Sequence, residues 1–220
     1  MNNPLNNISL DAEAMLESYD DYDDDEKKKM LRDILTHVDR AGGTVRNLLD
    51  FTRQETQVFV SVSLADVVER GTRLMTNEAA LNDVEFDVEL PPDLPRVRGN
   101  PRSLEQVCLN LFLNAIQAMP QGGTIAVRGA PAEEGMVRLD VSDTGVGIPD
   151  EHLASVFDPF FTTKEVGVGT GLGLSVTYGI IQNHHGSIEV KSKVGSGTTF
   201  SIHLPRSNED TAKRTGTGHQ

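Results

Sequence analysis

Apolar positions recur along this chain with two different periods, and the change of period separates its regions. At the start, Leu5, Ile8, Ala12, Met15 and Tyr19 return every three or four residues, which predicts a helix with one apolar side. A second helix follows. Met30, Ile34, Val38, Ala41, Val45, Leu48 and Thr52 keep helical spacing, and Leu31, Leu35 and Leu49 widen the stripe. Two helices alone leave much of that stripe wet, so a partner hairpin is expected, giving a four-helix bundle across a homodimer. Gly42-Gly43 inside the second helix costs about 1 kcal/mol per glycine relative to alanine and marks a bend or a close helix contact.

From about Gln57 the texture changes. Val58 to Val62 alternates as a strand, and Ser63 is placed to cap the next helix. Val84 to Leu90 reads as a strand stopped by Pro91-Pro92, and Asn100-Pro101 opens a helix to about Met119. Strands follow through Arg128 and over Met136 to Ser142. Leu172 to His184 reads as a helix, and Ser187 to Ser192 and Thr198 to Leu204 as strands. Strands with helices collected between them predict an α+β fold, with helices on one face of a mostly antiparallel sheet. Arg206 to Gln220 is polar without apolar periodicity and is expected to be disordered. The predicted organisation is a hairpin over 1–56, a mixed domain over 57–205 and a tail over 206–220.

Charge and composition narrow the partners. The formal charge of −13 argues against a nucleic-acid or anionic-membrane surface. Six of the acids fall within Asp20 to Glu26, followed by Lys27 to Lys29, which is read as a solvated loop leading into the second helix. No apolar run approaches the roughly 20 residues that span a bilayer, and no signal peptide is recognised, so a cytoplasmic setting is expected. Cys108 has no intrachain partner and sits in the apolar run Val107-Cys108-Leu109, as a small core residue would.

Four segments of the mixed domain carry candidate chemistry. Asn110 and Asn114 lie four apart on one helix face, with Leu109, Leu113 and Ile116 directed to the core. A carboxamide oxygen is a hard ligand suited to Mg²⁺, although alone such a pair is simply a helix's wet side. Asp143-Thr-Gly145-Val-Gly147 follows a strand, where a carboxylate can accept from an exocyclic amine; a plain Asp-Gly turn fits equally well. Gly167-Val-Gly169-Thr170-Gly171-Leu172-Gly173 runs into a helix, so backbone N–H groups there can hold phosphates. It lacks the Gly-Lys-Ser/Thr ending of a P-loop. Gly195-Ser-Gly197-Thr198-Thr-Phe200 turns between two strands.

In this order the segments resemble the N, G1, G2 and G3 boxes of sensor histidine kinases of two-component systems. Phe157-Asp-Pro-Phe160-Phe161-Thr-Thr-Lys164 resembles their F box and the start of their ATP lid. The resemblance covers 57–205 and implies a Bergerat-type ATP-binding fold. It implies Asn114 as Mg²⁺ ligand, Asn110 as support at the phosphate end, and Asp143 as reader of adenine. Gly145 and Gly147, with Thr198 in the closing turn, shape the base pocket. Gly169, Thr170, Gly171, Leu172 and Gly173 approach the phosphates. Lys164 is a lid contact to the terminal phosphate, or else a solvated lysine.

The hairpin resembles the family's dimerisation and phosphotransfer domain, and Asn2-Asn3-Pro4-Leu5-Asn6-Asn7 resembles the segment just after the phosphoacceptor histidine. In that register the acceptor falls before Met1, and this chain is expected to lack it. His37 has no such context. His184-His185 end a helix, where cationic character is favourable, and the sequence around His152, His203 and His219 carries no motif that gives them a role. The implied activity is transfer of the ATP γ-phosphate to histidine and thence to a response-regulator receiver domain, with ATP and Mg²⁺ as cofactors. Two other readings stay open. One is a nucleotide-binding dimerisation module without turnover. The other is an ATP hydrolase of the same fold, whose base glutamate would stand where Asn110 does.

Overall fold

Side-chain caps decide where the helices begin. A computed structural model describes residues 4–52, 58–163 and 170–207, with side chains at all of these except 4–5, 39–41 and 43–52. They form two compact units, the first being a helical hairpin grouped with 158–172. In the hairpin, α1 (Pro4–Glu17) and α2 (Asp24–Thr52) flank the acidic run. Asp23 Oδ1 accepts from the N–H groups of Asp25 and Glu26, and Glu26 returns a carboxylate oxygen to the Asp23 N–H at 3.0 Å. This reciprocal box satisfies otherwise orphaned donors and sets negative charge at the positive end of the helix dipole. The run of acids is therefore a helix-start device, and α2 continues unbroken across Gly42-Gly43. Leu31, Leu35 and Val38 stay exposed in the single chain. Leu5, Ala41, Val45, Leu48, Leu49 and Thr52 have side chains outside the described residues.

The second unit contains β1 (Val60–Val62), α3 (Leu64–Leu81), β2 (Val84–Glu89), β3 (Val97–Gly99), α4 (Pro101–Gln117), β4 (Gly123–Pro131), β5 (Met136–Asp143), α5 (Asp150–Leu153), α6 (Gly173–Asn183), β6 (Ser187–Lys193) and β7 (Gly197–Pro205). Ser63 caps α3 by accepting from the Asp66 N–H. Asn100 caps α4 by accepting from Ser103, with Pro101 at the first turn where no N–H is needed. Five strands form one sheet in the order β2-β4-β5-β7-β6, and β1 pairs with β3 in a small second sheet. Only β2–β4 is parallel in the larger sheet, so the expected mostly antiparallel character holds.

The core lies between α3, α4 and α6 and one face of the sheet. Val127, Val141, Phe200 and Ile202 point inward from alternate positions to meet Val68, Leu111, Phe112 and Ile181, all buried. The inward stripe of α4 is Leu104, Val107, Cys108, Leu111, Phe112, Ala115 and Ile116. The expectation that Leu109 and Leu113 join it is corrected: Leu113 is exposed and Leu109 half-buried. These two lie on the flank of the helix next to Asn110 and Asn114, about 100° from the true stripe. Burial, with Glu105 nearby adding to it, pushes the Cys108 thiol up to about 12. Beyond the expected end of the domain, Arg206 bridges Val97 and the Ser207 N–H donates to Arg96 O at 2.7 Å, while 208–220 fall outside the described residues.

His184 ties two helices together. Its Nε2 accepts from the Asn100 N–H at 3.0 Å, so the ring hydrogen sits on Nδ1 and is donated to Ile180 O at 2.7 Å. The ring is 1% exposed and packs 4.7 Å from Phe59. The cationic character expected at this helix end is therefore corrected for His184. Burial holds it neutral and lowers its pKa below 6.5, outweighing the favourable contacts with Ile180 and Asn100. On acidification the unfolded chain takes up a proton that the folded ring refuses. The stabilisation is present above about pH 6.5 and is lost as pH falls toward the lowered folded value. In urea titrations from pH 7.5 to 5 the unfolding free energy should fall by up to about 1.4 kcal/mol per pH unit from this group. A His184→Gln variant, weaker at neutral pH, should lack that part of the slope. An equal slope in both proteins would reject the assignment.

Candidate functional site

At one end of the apolar sheet face, three polar side chains line up across three strands. Thr198 on β7 pairs with Asp143 on β5 on one side and with Ser192 on β6 on the other. Asp143 Oδ1 accepts from the N–H of Gly145 at 2.9 Å and of Thr198 at 3.2 Å. Its second oxygen has no partner among the described residues. Burial raises the Asp143 pKa above 3.8 despite these two backbone donors, because a half-buried carboxylate is poorly solvated when charged. Such a group favours a ligand that brings its own donor to the free oxygen.

The loop after Asp143 is fastened from three directions. The Val146 N–H donates to Ala118 O at the end of α4, the Gly195 N–H donates to Val146 O, and the Ile148 N–H donates to Ser192 Oγ at 2.7 Å. Gly147 adopts φ +74°, and a Cβ there would overlap the Lys193 carbonyl oxygen. Gly197, at φ +99°, lies equally close to the Asp143 carbonyl. The two glycine segments are thus required by close backbone approach as well as by turn geometry.

Asn110 and Asn114 share the face of α4 that meets the start of α6. The Asn110 carboxamide is engaged at both ends: Oδ1 accepts from Gln106 Nε2 at 2.9 Å, and Nδ2 donates to Gly173 O at 3.0 Å and toward Thr177 Oγ1 at 3.3 Å. Asn114 is half-buried and makes no side-chain hydrogen bond to described residues. It borders Gly173, where a Cβ would stand 3.9 Å from its Nδ2. One helical turn on, Ala118 receives the Val146 N–H, so α4 connects the asparagine pair to the Asp143 loop.

The structure therefore brings together Asn110, Asn114, Asp143, Gly145, Gly147, Gly173 and Thr198. Lys164 and Gly169 lie outside the described residues. Thr170, Gly171 and Leu172 belong to the unit that contains the hairpin. Within it the Phe160 N–H donates to Gly171 O at 2.9 Å, and the Leu172 N–H donates to Thr170 Oγ1 at 3.3 Å. Gln106, Thr177 and Ser192 were not singled out from the sequence. Gln106 and Thr177 each stand four residues from a residue of the asparagine–glycine cluster, which is the signal that was available; Ser192 offered none.

Comparison with known proteins follows the same division. Residues 99–208 match the family model described as histidine kinase-, DNA gyrase B- and HSP90-like ATPase, and residues 1–57 match the His kinase A (phospho-acceptor) domain. The chain is similar to sensor kinase CckA of Brucella abortus, at 39% identity over 95% of this chain and 23% of CckA. It is also similar to sensor histidine kinase ZraS of Escherichia coli K12, at 36% identity over 76% of this chain and 36% of ZraS. Among solved structures, the mycobacterial sensor histidine kinase MprB superposes with a TM-score of 0.61 at 29% identity, covering 68% of this chain and 98% of that one. Histidine kinase ThkA, solved in complex with response regulator protein TrrA, gives 0.75 at 26% identity, covering 94% and 59%. The chain spans well under half the length of the curated relatives named here.

Gly135 provides a control for the Asp143 loop, since it shares φ +74° with Gly147 but has nothing within 4 Å of a built Cβ. Gly135→Ala should cost about 1 kcal/mol, the left-handed backbone alone. Gly147→Ala should cost about 1–3 kcal/mol more, because the Lys193 carbonyl must also move. Equal losses in urea denaturation would show that the loop gives way without resistance.

Proposed function

Because this chain belongs to the sensor histidine kinases of two-component systems, we propose that it binds ATP with Mg²⁺ and transfers the γ-phosphate to a histidine, for relay to an aspartate on a response-regulator receiver domain. The single observation that carries this reading is the Asp143 carboxylate. One oxygen is fixed by two backbone N–H groups and the other is left to accept from the exocyclic amine of adenine. Gly145 and Gly147 let the backbone close on the base.

The donor set also fits a magnesium triphosphate. Asn114 offers a neutral carboxamide oxygen as Mg²⁺ ligand, and Asn110 supports the phosphate end by fixing Gly173 at the start of α6. Mg²⁺, when bound, neutralises charge on the phosphates. The protein's share is positioning: phosphoryl transfer asks little covalent help of the enzyme. Asn110 also favours a kinase over a hydrolase of this fold, because a carboxamide takes no proton from water and this one is already hydrogen-bonded at both ends.

The proposed organisation is a dimerising hairpin over 1–56, a catalytic domain from 57 that extends past the expected end at 205 to include Arg206 and Ser207, and a tail beyond them. Leu31, Leu35 and Val38, exposed in one chain, are the surface that a second hairpin covers in a homodimer. The likeness to ThkA, solved with its response regulator, supports a receiver domain as the phosphate's destination. No helix among the described residues is long and apolar enough to cross a membrane.

Titration calorimetry with ATP and Mg²⁺ tests the base assignment. Asp143→Ala should weaken binding at least about tenfold, in line with loss of a hydrogen bond to a charged acceptor. Affinity should also fall on acidification through the raised Asp143 pKa, at higher pH than an ordinary carboxylate gives, because only the ionised form accepts from the amine. An Asp143→Asn variant should lack that dependence, and undiminished affinity in either variant would remove Asp143 from the site. For the chemistry, radiolabelled γ-phosphate should appear as acid-labile label on a supplied hairpin bearing an H-box histidine. Binding without any transfer would reduce the chain to a nucleotide-responsive module.

A further inference from the structure

Ser192 lies one strand beyond the residues assigned to the nucleotide, yet its hydroxyl is the most committed in the region. It accepts from the Ile148 N–H at 2.7 Å, donates to Gly197 O at 2.9 Å, and stands 2.9 Å from Thr198 Oγ1. A serine hydroxyl has one hydrogen and two lone pairs. An amide N–H cannot accept and a carbonyl cannot donate, so the hydrogen goes to Gly197 O and one lone pair takes the Ile148 N–H. What remains for Thr198 is a lone pair. Thr198 must therefore donate its own hydrogen to Ser192.

That direction has a chemical consequence at the neighbouring carboxylate. Thr198 is 5% exposed, and its N–H donates to Asp143 Oδ1. With its hydrogen turned toward Ser192, the Thr198 hydroxyl can only accept on its remaining side, as the Asp143 carboxylate does. We propose that Ser192 is a specificity-determining positioning residue: by fixing the polarity of the Thr198 hydroxyl, it makes this corner of the site acceptor-only and selects a 6-amino purine over a 6-oxo purine. A 6-amino group brings donors to these acceptors. A 6-oxo group sets oxygen lone pairs against them, and a site built for one polarity rejects the other strongly. The inference rests on the nucleotide reading above and adds to it a residue that touches no ligand.

The test compares ATP with inosine triphosphate, which carries an oxo group at ring position 6, by calorimetric affinity in the presence of Mg²⁺. Wild type should prefer ATP by at least about tenfold. Ser192→Ala frees the Thr198 hydroxyl to rotate and donate, so the preference should shrink about tenfold, chiefly through tighter inosine triphosphate binding. Ser192→Thr keeps the hydroxyl and should retain the wild-type ratio. Thr198→Val should lose ATP affinity without gaining for the oxo purine. Should the alanine variant not fold, Ser192→Cys preserves the shape with a much weaker acceptor, and the same narrowing is expected. A merely structural serine would lower both affinities together. An unchanged ATP to inosine triphosphate ratio in a folded Ala or Cys variant, or a wild type that does not discriminate, overturns the inference. A wild type that binds neither nucleotide overturns the underlying reading instead, and the inference with it.

Discussion

A carboxylate set into the end of an apolar sheet face organises the α/β unit. Asp143 sits where β5 leaves the core, in line with inward residues such as Val141 and Leu139 that are fully buried. Placing charge there is unfavourable unless donors meet it, and two come from the main chain of Gly145 and Thr198. The first comes from a turn within two residues of Asp143 and the second from across the sheet on β7, and Gly147 and Gly197 let the surrounding backbone approach this closely. The local chain path is a consequence of solvating one oxygen while leaving the other accessible.

The same logic, applied to neutral groups, holds α4 and α6 together. Asn110 joins the middle of one helix to the first residues of the other, while His184 joins the end of the second to the N-terminus of the first. Apolar packing between helices tolerates sliding, because dispersion is non-directional. Hydrogen bonds at both levels do not. Helix α4 is thereby held in register between the Asp143 loop at its C-terminal end and the small β1–β3 sheet at its start.

Much of this was legible in the amino-acid order, and the exceptions share a cause. Alternation and helical spacing located the strands of the larger sheet and α3, α4 and α6, and the capping types of Ser63 and Asn100 marked two helix starts. Strand β3 escaped notice because three residues between Pro95 and Asn100 are too few to show alternation. The face of α4 was misread because Leu109, Leu111 and Leu113 alternate beside Asn110 and Asn114, so local order did not say which of the three turns inward. In the site, glycine spacing and the Asp143 segment stood out. Ser192 did not, since its geometry needs the Ile148 N–H from 44 residues away as well as Gly197 and Thr198 nearby, nor did the contact of His184 with Asn100, 84 residues away. A role created by a long-range hydrogen bond leaves no periodic trace.

The burial of Cys108 gives the molecule an internal clock. It is the chain's sole thiol, it is 1% exposed at the centre of α4, and it is almost wholly protonated at neutral pH. An alkylating reagent reaches it only when α4 parts from its neighbours, so the rate of capture counts those openings. Stabilising the unit by any route, a bound nucleotide included, slows that count about tenfold for each ~1.4 kcal/mol gained.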